Sequence, residues 1–256
     1  MPSIERIAPS FRERVWGSTG LAPWFPEPEK KIGEVWLDAG DDYPLVKFLF
    51  TTEKLSVQVH PDDEYAREHE NSAGKTEMWH ILRTAPGASV GIGFRRPISR
   101  EQLRTSAEEG TIEGLINWIP VRPGDTLFVP ARTVHAIGAG LTLCEIQQRS
   151  DVTYRVYDYG RPRELHLDKA VEISALGPVS GRSVLPVRCP FFHTERLQVN
   201  GSTTLEPIAQ PCVLVVLQGE GLVGDEPFLS GEAFRVDAET PVTIRGQATV
   251  IRTFKP

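Results

Sequence analysis

The sequence predicts a mainly β protein in two blocks, interrupted by one small helical insert. Three observations carry that expectation. The 22 glycines and 21 prolines are spread along the chain as punctuation between short runs, the pattern of a β-sandwich or barrel. The runs themselves are strand length, and several alternate apolar with polar residues. Only one segment changes to helical spacing.

Taken in order, the strand candidates are "PLVKFLF" (44–50), "KLSVQVH" (54–60), "TEMWHIL" (76–82), "ASVGIGF" (88–94), "DTLFVP" (125–130) and "TLCEIQQ" (142–148). Between the fourth and fifth, "ISREQLRTSAEEGTIEGLINWI" (98–119) repeats its apolar residues at helical spacing. Ser99 with Gln102 three residues later forms a capping-box signature. The helical insert is therefore placed at 97–120. "ALGPVSGRSVLP" (175–186) is the best linker. It separates a first domain, 1–175, from a second β domain, 185–256, whose turns "GEG", "GDEP", "SGEA" and "RGQA" have the spacing of a small barrel. That second domain contains one histidine, His193, so it is expected to be metal-free.

Composition narrows the function classes. Apolar residues at 40% and charged residues at 24% are those of an ordinary globular protein. A net charge of −6 argues against a nucleic-acid binder, which usually has a basic excess. No run approaches the ~20 apolar residues of a membrane span, and the N-terminus has no signal-peptide core. Three cysteines, Cys144, Cys189 and Cys212, form no CxxC pair. Reduced thiols in a cytoplasmic protein are the expectation.

The chemistry concentrates around "KLSVQVH". Alternation places Ser56, Gln58 and His60 on one strand face and Leu55, Val57 and Val59 on the other. Gln58 and His60 can therefore reach the same point. Glu77 opens the next strand and can share an interior with Trp79. His135 follows "PGDTLFVPARTV", a strand, a proline-containing turn and a second strand. Two imidazoles, a carboxylate and an amide oxygen make a first shell for a divalent metal. His69, in the charge-rich "REHEN", and His80, on the opposite face from Glu77, read as ordinary polar residues.

"GDTLFVPARTVH" resembles the second signature of the cupin superfamily, at Gly124, Pro130 and His135, with Arg132 standing where that signature usually has a turn glycine. "LSVQVHPDDEYA", "GKTEMWHIL", "VPARTVHAIGAG" and "EIQQRSDVTYRVYDYGR" together resemble type I mannose-6-phosphate isomerases of the shorter bacterial branch, as do "RVWGSTGL" and "KIGEVW" upstream. The resemblance covers roughly residues 10 to 170. It implies two cupin-like jelly-roll barrels and a zinc-dependent aldose–ketose isomerase that interconverts mannose 6-phosphate and fructose 6-phosphate. It also implies one Zn2+ per chain, held by Gln58, His60, Glu77 and His135.

The same resemblance gives Arg155 as the active-site arginine and, more loosely, Arg161 as a basic residue on the phosphate side. Two groups are candidates for the base that isomerisation requires: Glu145 in "CEIQQ" and Lys75 in "GKTE", which could instead donate to sugar oxygens. His166 in "ELHLDKA" is a candidate for assisting ring opening, and Ser56 for bonding phosphate. The expected partner is a small sugar phosphate, with no nucleic acid and no membrane, and the sequence sets no oligomeric state. The alternatives are a non-catalytic sugar-phosphate-binding cupin and an isomerase of a related sugar. An iron-dependent cupin oxygenase is disfavoured, since such enzymes usually present more histidines.

Overall fold

A computed structural model describes residues 4–256, and the chain is mainly β, as expected. The described residues fall into two compact units. One comprises the chain up to Phe50, Cys144–Gln147 and Val184–Pro256; the other comprises Thr51–Leu143 and Gln148–Ser183. The N-terminal segment joins the C-terminal block because the strand Ile4–Arg6 pairs antiparallel with Ala233–Val236.

In that first unit the long strands His193–Leu205, Cys212–Val223 and Val242–Phe254 run side by side in one sheet. Their inward residues, including Val199, Leu214, Val216, Ile244 and Val250, form a buried core with Phe228 and Phe234. Each such side chain contributes about 1.5–3 kcal/mol when fully buried. The strands Pro9–Ser18, Ile32–Leu37 and Leu45–Phe50 form a second group of antiparallel neighbours in the same unit.

The second unit holds a five-stranded sheet in the order Tyr154–Tyr157, Val57–Val59, His135–Ile137, Ser89–Phe94 and Ile116–Pro120. Its two faces differ in kind. Val57, Val59, Val134, Ala136, Tyr154 and Val156 pack outward against Leu103, Ala107, Ala170, Val171 and Ile173, which come from two helices. The opposite face carries Gln58 and His135. Across from it lie Glu77–Thr84 and Thr126–Val129, paired antiparallel in another sheet, with Trp79 reaching His135 at a ring separation of 5.6 Å.

The helical insert is shorter than 97–120. The helix spans Arg100–Glu108 and opens on the expected capping box, Gln102 N donating to Ser99 Oγ at 3.0 Å and Ser99 N to Gln102 Oε1 at 2.9 Å. Gly110, at φ +72°, ends the α-helix, and a single 3-10 turn, Ile112–Gly114, follows it. "INWIP" then forms a strand beside Ser89–Phe94, because β-branched and aromatic residues with an available sheet edge outweigh the helical spacing. Two further helices, Asp63–Glu70 and Leu167–Ile173, lie outside the predicted insert. The first had a signal: Asp62 caps it and Asp63 and Glu64 occupy its first turn. No helix among the described residues is long and apolar enough to cross a membrane.

Candidate metal centre

Three side chains converge between the two sheets of the second unit. His60 stands just beyond the strand Val57–Val59, while Glu77 and His135 each begin a strand. Glu77 Oε2 lies 3.6 Å from His60 Nε2 and its Oε1 3.3 Å from His135 Nε2. Relative exposure is 1% for His60, 0% for Glu77 and 1% for His135. Burying a carboxylate and two imidazoles this completely is costly unless something compensates them.

The outer nitrogens show what that compensation must be. His60 Nδ1 lies 2.9 Å from the carbonyl of Val152, and His135 Nδ1 2.8 Å from the carbonyl of Thr133. A carbonyl only accepts, so each Nδ1 carries the proton, and in the neutral ring Nε2 is left as an acceptor. Two acceptor nitrogens then face a carboxylate whose two oxygens accept no hydrogen bond among the described residues. The Lys75 ammonium lies 3.3 Å from Glu77 Oε2, which leaves His60 Nε2, His135 Nε2 and Glu77 Oε1 as acceptors converging on one another, and these call for a cation. All three donor groups lie within 4.8 Å of one another, and nitrogen–oxygen ligands of this kind suit a divalent transition ion. The residues fit a metal. Sequence reasoning missed the two orienting carbonyls, which carry no side-chain signature; such partners fix the ring and its tautomer in metal sites.

Gln58 is brought to the same face. It pairs in register with His135 on one side and with Arg155 on the other, and directly opposed residues point the same way. Ser56, two residues earlier, is buried. Lys75 is buried too, with Nζ 3.3 Å from Glu77 Oε2. Arg155 is held at its main chain by His166: Arg155 N donates to His166 Nδ1 at 3.3 Å, and His166 N donates to Arg155 O at 2.8 Å. Burial, and then the positive charge of Arg155, hold the His166 pKa below its ordinary value.

The remaining candidates have other partners. Arg161 donates to Lys54 O at 2.7 Å and to carboxylate oxygens of Asp158 at 3.2 Å and Glu53 at 3.3 Å. Asp158, itself buried, is also gripped by Arg163 at 2.6 and 2.7 Å. Glu145 is buried in the other unit, where Lys47 Nζ lies 3.7 Å from it. His80 bonds Thr126 Oγ1 at 3.0 Å and His69 packs on Tyr65. A cavity of about 410 Å³ beside Lys54, Glu113 and Trp118 also lies in the second unit, and the three converging residues do not line it.

The chain resembles mannose-6-phosphate isomerase ManA of Bacillus subtilis, with 33% identity over 283 aligned positions that cover 88% of this chain and 90% of that protein. The chain belongs to the type I mannose-6-phosphate isomerase family. A mannose-6-phosphate isomerase of Streptococcus mutans is 37% identical over 196 positions, covering 70% of this chain and 62% of that one. The crystal structure of the mannose 6-phosphate isomerase from Bacillus subtilis superposes with a TM-score of 0.88 at 31% identity, over 98% of this chain and 99% of that one. No family model matches the sequence. Membership of the mannose-6-phosphate isomerase family makes this chain an enzyme, a sugar-phosphate isomerase, and sets aside the non-catalytic alternative.

Proposed function

We propose that the protein is a zinc-dependent mannose-6-phosphate isomerase, interconverting mannose 6-phosphate and fructose 6-phosphate with one Zn2+ per chain. The observation that carries this reading is the convergence of His60 Nε2, His135 Nε2 and Glu77 on one buried point, in a chain of this family. Gln58 is the fourth ligand, through its amide oxygen. The fold we propose is a pair of cupin-like jelly-roll barrels. The metal-binding role falls to the unit containing Thr51–Leu143, and the block 185–256, with its single histidine, is metal-free and structural. Three free cysteines suit a cytoplasmic location.

Isomerisation moves a proton between C2 and C1 of the sugar through an enediol. An ion held by His60, Glu77, His135 and Gln58 would supply Lewis acidity toward the substrate's oxygens. The chain's own residues do the rest. Lys75, buried beside Glu77, is the base candidate in the unit that carries the ligands. Arg155 offers a planar fork to an anionic oxygen, either of phosphate or of the developing enediolate. His166 holds the Arg155 main chain in place and presents its other ring nitrogen as a hydrogen-bond donor for ring opening. Ser56 and Arg161 are assigned to the phosphate side, Arg161 by exchanging its present contacts with Glu53 and Lys54 for phosphate oxygens.

The test is a coupled isomerase assay on mannose 6-phosphate, with metal content measured on the same sample before and after chelation. Turnover that disappears with the metal and returns with Zn2+ supports the reading. Full turnover in a metal-free sample rejects it.

A further inference from the structure

The turn preceding His135 contains a side chain for which the proposed function has no use. Arg132 has φ 67°, in the left-handed region that a residue with a Cβ rarely occupies. Its N–H donates to the carbonyl of His60 at 2.7 Å, and its own carbonyl accepts from Ala175 N at 2.8 Å. Its guanidinium turns to Asp62, with Nε 2.6 Å from Oδ2 and Nη2 donating to Oδ1 at 3.3 Å. Asp62 lies two residues after His60 and caps the helix Asp63–Glu70, its Oδ1 accepting from Tyr65 N at 3.1 Å. The turn that leads into His135 is thus bonded twice to the turn that follows His60, once by main chain and once by side chain.

The segment before Glu77 joins the same lattice. Lys75 N donates to Pro61 O at 3.0 Å, Gly74 N to Asp63 Oδ1 at 2.8 Å, and Ala131 N to Thr76 Oγ1 at 3.2 Å. Gly74 is required for this approach, because a Cβ there would come within 2.4 Å of the Asp62 main chain. All three converging residues therefore emerge from segments tied to one another around the Arg132–Asp62 pair.

We infer that Arg132 is a positioning residue: paired with Asp62, it sets the spacing of the His60 and His135 turns and thereby the affinity of the site for a divalent cation. The inference rests on the metal-site reading above. The Arg132 Nε is buried, but the two side chains as wholes are 41% and 37% exposed, and a half-exposed ion pair adds about 1 kcal/mol or less to global stability. An arginine in a left-handed turn adds backbone strain as well. Stability alone gives no reason for arginine over glycine here. Metal coordination does, because ligand distances must hold within a few tenths of an ångström. Arg132 reaches the cation only through other groups, so its effect belongs in metal affinity.

The experiment measures the Zn2+ dissociation constant by competition with a chromophoric chelator for wild type, Arg132→Gly, Asp62→Asn and the double variant. The melting temperature of each metal-free protein is the control. Glycine accepts the left-handed turn and keeps the N–H to His60; asparagine keeps the helix cap. Each single variant is expected to weaken Zn2+ binding about 10- to 100-fold, the range for losing an outer partner of a metal ligand. The double variant should bind no more weakly than the worse single one, because the two act as a unit. Metal-free melting should shift by less than about 4 °C. A loss below about tenfold in either variant, or additive losses, overturns the inference. So does a larger metal-free melting shift in Asp62→Asn. Should Arg132→Gly fail to fold, Asp62→Asn alone decides. Wild type that takes up no Zn2+ overturns both the proposed function and this inference; tight wild-type binding with unaffected variants overturns this inference alone.

Discussion

Gln58 stands directly opposite Arg155 across the second unit's five-stranded sheet, and its other cross-strand neighbour is His135. One row of three residues on three strands thus brings a metal-ligand candidate, an amide and a guanidinium to the same face. Adjacent strands are about 4.8 Å apart, so the Arg155 main chain sits roughly 10 Å from that of His135. In the proposed function a sugar phosphate spans that distance, with Arg155 turning its guanidinium, whose Nη1 here donates to Glu164 O at 3.3 Å, toward an anionic oxygen.

Arg155→Lys keeps the charge and loses the planar fork. Its kcat/KM for mannose 6-phosphate should fall roughly 30- to 1,000-fold, the equivalent of about 2–4 kcal/mol in the transition state. Zinc content should stay at the wild-type level, since no ligand is touched. Steady-state kinetics with elemental analysis on the same preparation checks both halves.

His135→Ala removes one of the two acceptor nitrogens facing Glu77. The loss of Zn2+ affinity should exceed the roughly 10- to 100-fold cost of losing an outer partner, and activity should be lost with it. Full metal occupancy after dialysis of this variant would take His135 out of the site.

Asp158 is the anchor of the segment that follows Arg155. Its carboxylate, almost fully buried, serves Arg161 and Arg163 together. Replacing it with alanine removes several charged hydrogen bonds at once and should destabilise the protein by about 1.5–3 kcal/mol. The figure is modest because both arginines retain access to water. Urea unfolding, comparing midpoints at constant slope, measures it.

His166 makes stability depend on pH. Its pKa is lowered in the folded protein by burial and by Arg155, against opposing effects of Glu164 and Glu70, with Lys169 adding to the lowering. The unfolded chain therefore takes up this proton at a higher pH than the folded one. The contribution of His166 is fully present above its ordinary pKa of about 6.5 and is lost as pH falls through the folded pKa. Between about pH 7.5 and about pH 5, His166→Gln should lose less stability than wild type. Denaturant melts at the two pH values give the difference, and an equal or larger loss in the variant would refute the assignment.

The sequence by itself determined the mainly β class and the capping box at Ser99. These follow from local chemistry: a period of two, a turn residue, a side chain bonding its own helix. It also supplied the ordered motifs through which the family resemblance was legible. Other features were decided by the tertiary structure alone. The protons of His60 and His135 are set by the carbonyls of Val152 and Thr133, and every residue has a carbonyl, so no residue type marks them. Arg161 reads in sequence, through the family resemblance, as a basic residue on the phosphate side, and only the structure shows carboxylates and a carbonyl around its guanidinium. "INWIP" reads as helix until Ser89–Phe94 offers it an edge. Arg132 looks like a defect in a glycine turn, and becomes intelligible only once Asp62 is beside it. Val152, Glu53, Asp62 and the strand Ser89–Phe94 are distant in sequence from the residues they decide and meet them only through the fold, by main-chain pairing that any residue except proline can make in full. Thr133 and Asp158 are near neighbours whose groups are aimed by the path of the backbone.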